Sequence, residues 1–138
     1  MTLATQQDTA FDFRTAASHY REAVDAWALA ADALRDAQAR LRAAQQALGD
    51  EEMGIRLDPN IDGKNAETRE AQFRSLALGE QGYMDALAEV EAAKRDVQRW
   101  TDAATTERDK MSGQKRVMDF CTAWIRFCAV EGGENGDH

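Results

Sequence analysis

The sequence predicts an all-α protein: an antiparallel two-helix hairpin, an alanine-rich heptad coiled coil, with a C-terminal helical segment, assembling into a helical bundle. Three observations predict it. Large apolar residues recur every seven positions through two long stretches, which is the spacing of a helix–helix seam. The only proline, Pro59, and three of the nine glycines (Gly49, Gly54 and Gly63) fall between those stretches. Residues 66–130 contain no proline at all, so nothing in them forbids helix.

The first eight residues read as a flexible lead-in. Thr9 is placed to cap a helix, with Asp12 three residues on in a capping-box position. The helical pattern then runs to Leu48 and meets Gly49, a residue suited to ending a helix. Within 9–48, Phe13, Tyr20, Trp27, Leu34, Leu41 and Leu48 are spaced by seven. Ala16, Ala23, Ala30, Ala37 and Ala44 are interleaved three residues later. Alanine at every second seam position lets two helix backbones approach closely.

Residues 49–64 read as a loop. Asn65 then caps the second helix, and Glu67 suits the positive end of its dipole. The second seam runs through Leu76, Tyr83, Val90, Val97, Ala104, Met111, Met118 and Ile125, with Gly79, Ala86, Ala93 and Trp100 interleaved. The next interleaved positions are Glu107 and Gln114, so the seam weakens there. The heptad phase survives Gly79 and Gly82, which reads as continuous helix over 65–112. Ser112–Gly113 is the expected place of a kink or break, so 113–130 reads either as a separate C-terminal helix or as a continuation of the second helix. Gly132, Gly133 and Gly136 mark 131–138 as a disordered acidic tail.

At 138 residues the chain is one domain's worth. Its net charge of −8 argues against a general nucleic-acid binder, which needs a basic surface. No apolar run follows a basic start and no 18-residue apolar stretch exists. Those absences give no signal peptide and no membrane span, and cytoplasmic is the expected location.

The residues that could carry chemistry form no catalytic constellation. His19 reads as a solvent-facing helix residue and His138 is the last residue of the tail. Cys121 and Cys128 lie seven apart, on the stripe that alanine fills earlier, and read as small buried core residues. Asp58-Pro59-Asn60-Ile61-Asp62-Gly63 matches the opening of a calcium loop, so Asp58, Asn60 and Asp62 are a weak metal candidate. The match fails at the twelfth position, where Arg69 stands in place of a bidentate glutamate. A plain turn is the expectation, with no metal, no cofactor and no enzyme activity.

Residues 114–130 form the segment most able to bind something. Phe120, Trp124 and Phe127 are three of ten aromatic residues in the chain, and Lys115, Arg116 and Arg126 lie among them. A surface this apolar does not stay in water. Self-association into a homo-oligomer, folding back as a third helix, and docking on another protein or a membrane surface are all open. The expected function is a non-catalytic protein–protein interaction or assembly module. The alternative is a nucleic-acid-linked role: a recombination accessory using Lys115, Arg116 and Arg126, or an acidic DNA mimic that inhibits a nuclease or defence protein.

The stretch Gly63-Lys64-Asn65-Ala66-Glu67-Thr68-Arg69 resembles a turn that precedes a long helix in small helical proteins of bacteriophages and prophages. The resemblance covers about residues 55–100. It implies a phage-type accessory or regulatory protein of no particular activity. It also implies a metal-free loop, with Gly63 making the turn and Asn65 capping the helix.

Overall fold

The structure, a computed structural model, describes the backbone of residues 2–136 and the side chains of residues 13–131. It has three α-helices: α1 (Thr2–Arg56), α2 (Ala66–Gly79) and α3 (Gln81–Gly136). The described residues contain no strand. The chain divides into two compact units, one of residues 33–101 and one of residues 1–32 with 102–138. We refer to them as the loop-end unit and the terminal unit.

In the loop-end unit the predicted stripe is the buried one. Ala37 and Ala44 are buried, while Leu34, Leu41 and Leu48 are half-buried. Ala44 packs with Val90 and Ala93, flanked by Leu41 and Leu48. Ala93 is 1% exposed, the tightest of these positions. Outside the contact, Arg40 reaches Glu89 at 3.2 Å and Asp96 at 3.4 Å. Glu51 lies against Gly82 further along. Positions thus rise along α1 as their neighbours fall along α3, so within this unit the two segments run in opposite directions.

Helix α1 does not stop at Gly49 but continues to Arg56. Glycine inside a helix costs about 1 kcal/mol relative to alanine. The added turns bury Ile55 against Phe73 and Ala77, and burying an isoleucine side chain contributes about 1.5–3 kcal/mol. Packing therefore outweighs propensity. The helix ends before Pro59, whose ring disfavours helical backbone at Asp58.

The second helical stretch is broken at Glu80 rather than at Gly113. Glu80 is extended (φ −94, ψ 109), its N–H donates to the Ala77 carbonyl, and its own carbonyl accepts from Met84 N–H. The reason is visible in the packing. The rings of Phe73 and Tyr83 meet edge to face with centroids 5.9 Å apart. Ten residues of unbroken helix would hold them about 15 Å apart along the axis. The break lets both aromatics enter one cluster with Ile55, Ile61 and Leu76. Gly113 has no atom near the place of a missing Cβ and stays within α3. Residues 113–130 continue α3.

At the ends, α1 begins at Thr2 rather than Thr9, and α3 extends to Gly136 through most of the stretch read as a tail. The capping side chains of Thr9 and Asp12, the acidic side chains beyond Glu131, and His138 lie outside the described residues. No helix among the described residues is long and apolar enough to cross a membrane.

In the terminal unit Ala16, Ala23 and Ala30 are buried, and Phe13, Tyr20 and Trp27 are half-buried. The α3 positions on the same seven-residue rhythm are Ala104, Glu107, Met111, Gln114 and Met118, all half-buried, followed by buried Cys121.

Candidate interaction face

Two faces of α3 in the terminal unit differ sharply. One carries Met118, Cys121 and Cys128, which are half-buried, buried and half-buried. Both cysteines are free thiols. The other carries Val117, Phe120, Trp124, Phe127 and Val130, all exposed. Phe120 is 70% exposed, Phe127 53% and Trp124 41%. Spacings of three and four residues place them on one side of the helix.

The exposed residues make contact with one another. The Trp124 and Phe127 rings stack with centroids 5.7 Å apart and planes inclined by 27°. Phe120, Ala123, Trp124 and Phe127 line a shallow hollow of about 250 Å³. All four lining residues are apolar, so the hollow offers contact area and no hydrogen bonds. Thr122 satisfies its hydroxyl within the helix by donating to the Met118 carbonyl at 3.0 Å. The predicted contact residues Phe120, Trp124 and Phe127 thus come together. Lys115, Arg116 and Arg126 are exposed as well, and helical geometry puts Arg116 at the N-terminal end of the apolar face with Lys115 and Arg126 round the helix from it.

A second hollow in the same unit, of about 430 Å³, is lined by His19, Glu22, Ala23, Ala26, Glu107, Lys110 and Gln114. It marks the place where the seam turns polar. The small side chains of Ala23 and Ala26 leave the space, and Lys110 holds Glu107 at 3.5 Å.

The loop residues Asp58, Asn60 and Asp62 hold the turn together. Asp58 Oδ1 accepts from Asn60 N–H at 2.8 Å, and Asp62 Oδ1 accepts from Gln72 Nε2 at 3.0 Å. Gln72 Oε1 also accepts from Gly63 N–H at 3.0 Å, and Asn65 Oδ1 accepts from Thr68 N–H at 2.8 Å. Among the described residues no group of three or more His, Cys, Asp or Glu side chains is placed to hold a metal ion. Sequence reasoning missed Gln72, which fastens loop to helix. It also missed Arg56, which pairs with Glu52 at 3.0 Å and Glu70 at 3.2 Å and lies 4.0 Å from the Phe73 ring centroid. The hydrogen bonds that Arg56 donates to Glu70 and then to Glu52 raise the pKa of its guanidinium. Its sequence signal is the Glu52–Arg56 spacing of four.

Compared with protein-family models, with curated proteins and with solved structures, the chain finds no match in any of the three.

Proposed function

We propose that this chain is a non-catalytic protein–protein interaction module that assembles as a homo-oligomer. Its working surface is the apolar face of α3 around Phe120, Trp124 and Phe127. The scaffold beneath is an antiparallel helical hairpin with an alanine-rich heptad seam. The observation that carries this reading is the exposure of three contiguous aromatic residues on one helix face. Large rigid aromatics dominate association energies when a partner desolvates them.

The resemblance of residues 63–69 to phage helical proteins supports a phage-type accessory setting, in the cytoplasm.

The test is the solution mass by light scattering across a wide concentration range in reducing buffer, for the wild type and Phe120→Asp. The expected wild-type mass is above 15.3 kDa, falling to the monomer value in the variant with helicity unchanged. A wild type that stays monomeric throughout rejects self-assembly.

A further inference from the structure

The exposed face of α3 reads nearly the same in both directions. Its residues in order are Arg116, Val117, Phe120, Ala123, Trp124, Phe127, Val130 and Glu131. They fall into four pairs about one midpoint, between Ala123 and Trp124: Ala123 with Trp124, Phe120 with Phe127, Val117 with Val130, and Arg116 with Glu131. Each pair matches in a way useful to contact. The two valines are identical, as are the two phenylalanines. The innermost pair couples the smallest side chain on the face with the largest, and the outermost couples opposite charges. Every one of these residues is exposed.

From this arrangement we propose that the occupant of the face is a second copy of this chain, packed antiparallel about a two-fold axis through the Ala123–Trp124 midpoint. The inference rests on the reading of this face as an assembly surface and adds its partner, orientation and register. A two-fold contact brings residue i against j and j against i. Here Phe120 of each copy meets Phe127 of the other at the centre of the face. The two Trp124 side chains come together on one side of the seam and the two Ala123 on the other. The paired stretch is about 22 Å long, four turns of helix.

The charges select the orientation. Arg116 meets Glu131 twice, once at each end. Lys115 lies beside Arg116 at one end, and Glu131 closes the other. An antiparallel pair sets each basic end against an acidic one, whereas a parallel pair sets like against like. A membrane surface fits the face poorly. Helices that lie on anionic lipid carry a polar face rich in Lys and Arg, whereas this chain has a net charge of −8.

The experiment is sedimentation equilibrium on the full chain, comparing the wild type, Arg116→Glu, Glu131→Arg, the double variant, and an equimolar mixture of the two single variants. All substitutions are at exposed positions, and circular dichroism checks that helicity is kept. The wild type is expected to form a dimer and stop there. Each single reversal replaces two attractive contacts by two repulsive ones and weakens self-association about tenfold, from about 0.2–1 kcal/mol per exposed pair. The double reversal restores wild-type affinity, and the mixture pairs more tightly than either variant alone. If the wild type associates and Phe120→Asp abolishes it, but neither the double variant nor the mixture recovers, the antiparallel two-fold is wrong while the assembly face stands. If the wild type does not associate at all, both readings fail together.

Discussion

In the loop-end unit the seam positions Leu41, Leu48, Leu76, Tyr83 and Val90 are joined by Ile55 and Phe73. In the terminal unit the corresponding α3 positions pass through Ala104, Glu107, Gln114 and Cys121. The two buried apolar clusters found among the described residues both lie in the loop-end unit. There, large side chains point inward and are closed over by a broken helix. In the terminal unit the inner stripe of α3 mixes the methionines Met111 and Met118 with small or polar residues, and the large side chains Phe120, Trp124 and Phe127 point outward. A seven-residue rhythm therefore sets where two helices touch, while the size of the residues on it sets whether the contact suffices alone. The proposed assembly covers the aromatics that this seam leaves outside.

The contrast can be broken most directly at Phe73. Phe73→Ala removes the edge-on contact with Tyr83 and the ring beneath Arg56. It is expected to lower stability by about 3–5 kcal/mol in urea unfolding, as large-to-small aromatic replacements in cores do. Hydrogen exchange should show the loss concentrated in 50–85. An undiminished midpoint would mean that the loop-end cluster is not the stabilising centre.

Ala93→Leu tests the closeness of the seam, since Ala93 packs against Ala44 and Val90. Overpacking costs about 1–3 kcal/mol, and a neutral result would show that the helices have room to move apart. Gly63→Ala comes next. An added Cβ would stand 2.7 Å from Thr68 Cγ2 and 3.0 Å from Gln72 Oε1. The melting temperature should fall with a loss of about 1–2 kcal/mol, and proteolysis at the 57–65 loop should quicken.

Gln114→Leu sharpens the comparison from the other side. Replacing a half-buried polar residue on the α3 seam by an apolar one should raise stability by about 1 kcal/mol, read as a higher urea midpoint. A fall would show that the polar hollow beside His19 and Glu107 has a role in holding the unit together. The smallest effect is expected at Arg40, whose bridges to Glu89 and Asp96 are exposed. Arg40→Ala should change stability by no more than about 0.5 kcal/mol, with little salt dependence left to lose.

Several of these features were readable from residues alone. The alanine stripe named its own burial, because five alanines at intervals of seven leave a helix one face to close on. Asn65 announced its cap, because its side chain reaches Thr68 N–H without help from the rest of the chain. The clustering of Phe120, Trp124 and Phe127 followed from spacings of three and four. The helix limits were less accessible. Gly49, Gly79 and Gly113 look alike in sequence, yet α1 passes through the first, α2 ends at the second, and α3 ignores the third.

The sequence by itself determined the seam, the cap, the composition of the outward aromatic face and the charges at its two ends, because each depends on residues within a few turns of one another. Tertiary packing decided that α1 extends through Gly49 and that the chain breaks at Glu80. Each of those outcomes sets a local preference of about 1 kcal/mol against side-chain burial supplied by residues distant in sequence, such as Phe73 against Ile55, and only the folded arrangement brings them together.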